Sequence, residues 1–523
     1  MKIGFSVAAC AVLALFAAQA NAAETIKLQA VEVNSVGDNI SESGIDEGIL
    51  NKKVASGPLA DKKVLDMPYQ VNTISKEVLD NQGVQAFDEA VKYFPSAQLQ
   101  YRGGGEMGRP QTRGFQGSVV GNVLWDGFYA VSTTAIPMAM FESLQIQNGL
   151  AGSLYGGQDP AGIFSYSRKR PQADYNSVWA DYISRGNIGM GLDTSDKFEK
   201  IGYRGVFYYT NGEREPSDSK TSRRLASIAL DFYPTEDLTF ETNFSYYKHI
   251  MSGYYNSVGL ASYDGEYRGL PIRNANGRII GATSSDIPSV SSVTKSTSGE
   301  RYMRTIASSG KFKYAPSDIW YLEGGYQWQR AIRSRDGNSR FTVPSAFLKG
   351  QMEFNTGSVK HNFATSLNGY KWLNTRSGSL LTGMKNISIV DDMLLNDKLS
   401  LILSASNTWF KKTNYKGDGM SWAGSVIYKV MPDFNIYFTY ADSLKDGDSK
   451  FYDPSKYLPA HPLYGQTISF NPYRSKQYEL GLKTRINEID FSAAIFQITR
   501  PTYYEVGGIF GKQGDQRNSR IYY

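Results

Sequence analysis

Alternation with a period of two runs through the C-terminal two thirds of the chain. Leu238, Phe240, Thr242, Phe244 and Tyr246 alternate with Thr239, Glu241, Asn243 and Ser245. The preceding run sets Ala226, Ile228, Leu230 and Phe232 against Ser227, Ala229 and Asp231, and Pro234-Thr235-Glu236-Asp237 joins the two. Successive side chains of a strand point to opposite faces, so each run predicts a β-strand and each joined pair a hairpin. The unit recurs around Ala315-Pro316-Ser317-Asp318, Leu394-Leu395-Asn396-Asp397 and Met431-Pro432-Asp433. Long polar segments such as 252–300, rich in Ser, Gly, Tyr and Arg, separate the hairpins. Short turns on one side and long loops on the other are the layout of a transmembrane barrel. A soluble sandwich shares the period but has shorter strands. Trp320, Trp328, Trp409, Tyr437 and Tyr440 lie near strand ends, where interfacial aromatic girdles sit.

The first third has a different texture. Residues 23–60 are polar and without a sustained period, and are expected to be flexible. One extended patch, Leu28-Gln29-Ala30-Val31-Glu32-Val33-Asn34, interrupts them, and its alternation suits pairing with the edge of another protein's sheet. Met67 to Ile74 reads as a strand entered through Pro68. Ser75 then caps a helix that ends at Gln82-Gly83, and a second helix, Phe87 to Tyr93, stops at Phe94-Pro95. From Gln111 to Pro171 short apolar runs alternate with glycines, predicting brief strands joined by tight turns of positive φ. Residues 61–171 thus predict a compact mixed α/β domain, and 172–523 a β-barrel.

Composition narrows the class. Within 523 residues only the N-terminus approaches the roughly 20-residue apolar run of a membrane helix, which excludes a helical bundle but not a barrel. Lys2, an apolar run to Ala18 and Ala20-Asn21-Ala22 read as a signal peptide over 1–22. Its cleavage removes Cys10, the only cysteine, which suits an oxidising periplasm. The net charge of +6, from 56 basic and 50 acidic residues, is spread along the sequence, with no basic block of nucleic-acid type. No nucleophile stands beside a base, and His249, His361 and His461 are far apart. No enzyme activity, resident cofactor or metal site is expected.

Several motifs resemble those of the TonB-dependent outer-membrane receptors, in particular the ferric-siderophore branch. Asp66-Met67-Pro68-Tyr69-Gln70-Val71 is similar to the opening of the family's plug domain, and Glu89-Ala90-Val91-Lys92-Tyr93-Phe94-Pro95 to its next helix. Thr112-Arg113-Gly114-Phe115, Asp126-Gly127 and Leu154-Tyr155-Gly156 resemble plug signatures, and Lys169-Arg170-Pro171 the plug's exit. Val359-Lys360-His361-Asn362, Gln477 to Lys483 and Phe496 to Pro501 are similar to barrel motifs. The family's usual proline is missing from Gln147 to Ser153, and Ile163 to Ser167 departs from its usual aliphatic strand.

The resemblance implies a plug folded inside a barrel of about 22 strands. It implies uptake of a ferric siderophore across the outer membrane, driven by the inner-membrane TonB complex acting on a box at Leu28–Asn34. Ligand contacts are expected at Tyr101, Arg102, Gly103, Gln116, Gly117, Ser118, Phe128 and Tyr129, where Arg donates to anionic oxygens and Tyr offers a flat face. Arg113, Glu142, Arg168 and Arg170 are expected to form a plug–barrel charge lock with barrel carboxylates such as Glu479. Haem or cobalamin is the alternative cargo, and a passive pore or adhesin-like barrel the alternative function. Residues 172–523 leave room for roughly 14 strands at about 25 residues per strand and connection. The barrel is therefore expected to be partial, and the protein truncated at its C-terminus and unable to transport.

Overall fold

The structure, a computed structural model, describes residues 53–101, 108–183, 186–214, 219–253, 255–260, 271–273, 279–282, 293–297, 299–333, 339–375, 377–447, 449–452, 465–486, 489–501, 505–506, 509–510 and 519–522. The N-terminal segment 1–52, with its signal peptide and Leu28–Asn34, lies outside them.

Packing is already established at Val54, several residues before the expected boundary at 61. Val54 N–H donates to Lys62 O at 2.9 Å and Asp61 N–H to Val54 O at 2.9 Å, closing a turn that buries Val54 and Leu59. A 3-10 turn, Val64–Asp66, precedes strand β1 (Val71–Ser75), helix α1 (Lys76–Asn81) and helix α2 (Phe87–Ala90), which tightens into a 3-10 turn over Val91–Tyr93. Ser75 stands at the N-cap of α1, but its hydroxyl makes no capping bond. Next come β2 (Ala97–Tyr101), β3 (Gly108–Thr112), β4 (Phe115–Gln116), β5 (Val123–Trp125), β6 (Phe128–Tyr129), β7 (Phe141–Gln147), helix α3 (Gly152–Tyr155) and β8 (Ile163–Arg168). The main plug sheet has the order β1-β7-β8-β5-β6, with β5 parallel to β8, while β2, β3 and β4 form a small meander.

Two signatures share one geometry. Arg113 (φ 52°) and Gly114 (φ 78°) turn β3 into β4, and Asp126 (φ 50°) and Gly127 (φ 85°) turn β5 into β6. Two consecutive positive φ values make a type I′ hairpin, whose twist matches that of the paired strands. Arg and Asp are strained at the first position, so each turn spends about 1–2 kcal/mol to aim a charged side chain.

The second layer is a wall of 16 antiparallel strands. It runs through β9 (Tyr175–Ile183), β10 (Asn187–Lys197), β11 (Ile201–Arg214), β12 (Ser219–Thr235) and β13 (Leu238–Ser252). The long connection after β13 holds the short pairs β14 (Tyr255–Leu260) with β17 (Val293–Thr297) and β15 (Pro271–Arg273) with β16 (Ile279–Ala282). The wall resumes with β18 (Arg301–Ser317), β19 (Trp320–Arg333), β20 (Ser339–Thr356), β21 (Val359–Asn374) and β22 (Leu380–Asn396). It continues with β23 (Leu399–Lys412), β24 (Tyr415–Met431) and β25 (Phe434–Lys445). Past the loop pair β26 (Ser449–Phe451) and β27 (Thr467–Ser469) come β28 (Tyr473–Ile486) and β29 (Ile489–Arg500). The loop pair β30 (Glu505–Val506) and β31 (Ile509–Phe510) precedes the last wall strand, β32 (Ser519–Tyr522). The count exceeds the expected 14 because connections on the short side shrink to two or three residues, as at Glu236-Asp237. Among the described residues β9 and β32 are the two edges of the sheet and do not pair.

The wall inverts the usual globular order. Ile228, Leu230, Phe244 and Ile389 face away from the plug at 41–48% exposure, while Ser227, Asn243, Ser245 and Ser388 are buried beneath it. An apolar outer face is what a strand needs against lipid, and a polar inner face is what a folded plug needs for hydrogen bonds. Thr439 Oγ1 donates to Pro68 O at 2.6 Å, and Leu150 N–H to Gln477 Oε1 at 3.0 Å.

Candidate functional site

The strained turns deliver their charges to the plug–wall boundary. Arg113 meets Glu479 of β28 at 2.6 Å, with side chains 5% and 0% exposed, and its guanidinium lies 3.9 Å from the centre of the Phe496 ring. Glu479 also accepts from Tyr437 Oη at 2.6 Å and from Gln477 Nε2 at 2.9 Å, so both carboxylate oxygens are satisfied. Asp126 binds Arg168 twice, accepting from its backbone N–H at 2.7 Å and pairing with its guanidinium at 2.8 Å. The carboxylate partner of Arg168 is thus on the plug rather than on the barrel, because β5 and β8 are neighbours in one sheet. From the wall Arg168 takes only neutral acceptors, Ser309 Oγ at 3.1 Å and Gln327 Oε1.

At the plug's exit the cations do reach wall carboxylates. Lys169 pairs with Asp193 at 3.0 Å, and Arg170 with Asp231 and, at 3.6 Å, Glu241. Glu142 faces Arg204 of the wall at 3.5 Å, while Arg204 grips Asp193 at 2.8 and 2.9 Å. Burial pushes the Glu142 carboxyl above the usual range, and Arg204 pulls it partly back. Sequence reasoning missed Lys311, Glu323 and Lys349. Lys311 sits 3.1 Å from Glu241 and 3.4 Å from Glu323, and Lys349 sits 3.2 Å from Glu323. Their signal was present: each is a charge on the plug-facing parity of a strand whose other parity is mostly apolar.

These groups line a cavity of about 180 Å³ at the short-turn end of the wall. Residues 53–61 form its other side and are tied to both layers. Ala55 N–H donates to Gln145 Oε1 and Gln145 Nε2 to Lys53 O, each at 3.0 Å. Tyr155 Oη donates to Ser56 O at 3.0 Å, and Lys62 pairs with Asp392 of the wall at 2.5 Å. Elsewhere the fit is tight. A Cβ on Gly152 in α3 would lie 2.6 Å from Ser443 Cα, so only glycine lets this helix touch the wall backbone. Pockets for drug-sized molecules measure about 300–1,000 Å³, so this cavity is too small for a chelate of that size.

The expected ligand contacts fare unequally. Arg102 and Gly103 lie outside the described residues, as do Leu28–Asn34, and of Tyr101 only the backbone is described. Gln116 and Ser118 are half-buried and Gly117 is buried, with Ser118 N–H held by Asn122 Oδ1 at 2.7 Å. Phe128 and Tyr129 are buried in this structure, at 1% and 2% exposure. Phe128 packs on Phe347 and Tyr129 on Tyr370, each with ring centres 4.9 Å apart, and Tyr129 N–H donates to Ser345 Oγ at 2.9 Å. They are apolar anchors between plug and wall.

Comparison with known proteins places this arrangement. Residues 63–163 match the TonB-dependent Receptor Plug Domain and residues 148–516 the TonB dependent receptor-like, beta-barrel family. The protein is 20% identical to the ferrioxamine receptor of Yersinia enterocolitica, over 88% of its own length and 72% of the relative's. Its fold is similar to the ferric preacinetobactin receptor of Acinetobacter baumannii, with a TM-score of 0.71 at 17% identity, covering 89% of this protein and 77% of that one. It is also similar to the closed form of the ferric-catecholate import receptor of E. coli K12, with a TM-score of 0.69 at 14% identity, covering 89% and 78%.

Proposed function

The chain belongs to the TonB-dependent receptors, and on that premise we propose that it is an outer-membrane receptor for the energy-coupled uptake of a ferric siderophore. The observation that carries the reading is the closed fit of plug to wall. Among the described residues, ion pairs, aromatic anchors and the tied segment 53–62 bind the plug to the wall at many points, so passage of a chelate through these contacts requires the plug to move. A passive pore has no use for a folded plug tied to its wall by buried ion pairs. The relatives' names point to iron-chelating cargo in each case.

In this reading the ligand settles at the long-loop end, over the plug segments around Gln116 and Ser118. The inner-membrane TonB complex pulls on Leu28–Asn34. Force then enters the described structure at Lys53 and passes through Gln145 into β7, the strand next to β8 in the plug sheet. Breaking Lys62–Asp392 frees the segment from the wall.

Uptake of radioactive iron tests this in cells that lack their own receptors and produce a full-length version of this protein. Purified ferric hydroxamates and catecholates are supplied one at a time, with haem and cobalamin as rivals. Uptake of at least one ferric siderophore, abolished by deleting residues 25–34 or by removing the energy-transducing partner, is expected. Uptake that survives both changes would mean a passive pore.

A further inference from the structure

At every seam of the wall but one, the ladder reaches within one residue of a strand's long-loop end. Between β24 and β25 it stops early, at Ala423 opposite Ala441. Above that rung, residues 415–422 of β24 pair only with β23, and residues 442–445 of β25 only with β28. At the rim the gap closes again. Lys412 pairs with Asp446 at 2.8 Å, and Gly447 N–H donates to Tyr415 Oη at 3.2 Å. The gap is thus a window in the wall rather than a frayed edge, and backbone groups without partners are costly at membrane depth.

Side chains fill the window. Phe438 and Tyr440 of β25 face outward, and Asp442 and Leu444 share their parity, yet these two are 1% and 3% exposed. Leu444 lies against Gly419, where a Cβ would meet its Cδ1 at 2.8 Å. The Asp442 carboxylate accepts the backbone N–H of Trp422 at 3.0 Å and the Arg474 guanidinium at 2.6 Å. Arg474 stands on β28 across from Leu444, and its other arm passes over β25 to donate to Met420 O of β24 at 2.7 Å. These three bonds replace missing backbone pairs with a side-chain clasp. The clasp has an alternative. Lys476 stands directly across from Asp442 on β28, and among the described residues it has no carboxylate partner. Residues so placed have Cβ atoms about 4.5–5.5 Å apart, so a change of rotamer brings Asp442 to Lys476. The two lips also belong to different bodies. On β25, Ser443 Oγ donates to Gln158 O of the plug at 3.1 Å and Lys445 pairs with plug Asp159 at 2.8 Å, whereas the β24 lip is held by β23.

We infer that the gap between β24 and β25 is a gated side window whose latch is Asp442. Bonded to Trp422 N–H and Arg474, the carboxylate shuts the window; turned to Lys476, it releases β24 and Arg474 together. Each position keeps the carboxylate paired with a cation, and released Arg474, already 36% exposed, is solvated, so the two states are close in free energy. Outside the window lies a cleft of about 620 Å³ bordered by Gly419, Leu444, Arg474 and Lys476, within the roughly 300–1,000 Å³ of small-molecule sites. Behind it lies the plug loop that carries Gln158 and Asp159. An open window joins the two, and the ties of Ser443 and Lys445 couple its opening to movement of the plug. The readout below does not involve uptake, so this inference and the proposed function can fail separately.

The test is the rate at which a maleimide labels Leu444→Cys in the full-length protein in non-ionic detergent. Cys10 is the only native cysteine, and mass spectrometry reads the introduced thiol on its own peptide. Adding Arg474→Gln should speed labelling about tenfold, the worth of one hydrogen bond to a charged group. Adding Lys476→Gln should instead slow labelling below the Leu444→Cys parent, because the latch loses its open position. A generally loosened wall cannot produce that second result. Ile402→Cys, equally buried at 3% beneath an intact ladder, should stay unreactive in all three backgrounds. No acceleration by Arg474→Gln in a folded wall, or labelling of the Lys476→Gln variant at least as fast as the parent, would overturn the inference. If Arg474→Gln also exposes Ile402→Cys, the wall has unfolded and Lys476→Gln decides alone.

Discussion

Replacing Glu479 by Gln isolates the electrostatic part of the plug's attachment. The substitution keeps the side-chain volume and an oxygen for Tyr437 Oη, but removes the charge facing Arg113 at 2.6 Å. Breaking a buried pair by removing one partner costs about 3–5 kcal/mol, because the remaining charge is left without solvent. The lower end applies here, since Arg113 keeps the face of the Phe496 ring at 3.9 Å and is not left wholly without a partner. A net loss of about 3 kcal/mol is roughly a hundredfold in an opening constant. Hydrogen exchange of the β3–β4 segment, read by mass spectrometry, should therefore accelerate on the order of a hundredfold. Adding Arg113→Met removes the orphaned charge while keeping an unbranched side chain at the left-handed position, and should restore most of the protection. Exchange within about threefold of wild type in Glu479→Gln, or no recovery in the double variant, would refute the reasoning.

Other perturbations separate packing from charge. Phe128→Ala should lower plug stability by about 3–5 kcal/mol through lost contact with Phe347, while ligand affinity at saturation of the folded form stays unchanged; a large affinity loss with intact stability would return Phe128 to the ligand surface. Gly152→Val should prevent α3 from seating against Ser443, seen as protease sensitivity of α3, and normal resistance would show that the wall yields. Glu142→Gln should alter pH dependence. Its carboxyl is raised by burial, so the folded state holds that proton more tightly than the unfolded one. Plug stability therefore falls as pH climbs from about 4.3, the ordinary glutamate value, through the raised value. The calorimetric plug transition of Glu142→Gln should fall less across that window, with Arg204 still held by Asp193, and an unchanged slope would show that Glu142 is not its source.

The sequence by itself determined the parts whose rules are local. Period-two alternation identified the hairpins at Pro234–Asp237, Ala315–Asp318, Leu394–Asp397 and Met431–Asp433, each of which reaches into a turn of the wall. Arg113-Gly114 and Asp126-Gly127 marked turns of positive φ because glycine reports backbone geometry directly. Helix ends at Gly83 and Phe94 followed from the same local chemistry. Side-chain surroundings were another matter. Phe128 and Tyr129 follow a glycine turn and read as loop residues, yet wall groups more than 200 positions away enclose them. Arg113 and Glu479 are 366 residues apart, and only the family resemblance, not any local rule, singled out Glu479 among the barrel carboxylates. The register of β28 against β25, and the seat of the plug within the wall, made that choice. Burial and ion pairing are properties of two surfaces brought together. A sequence specifies each surface, and only the tertiary fold decides which residues of one meet which of the other.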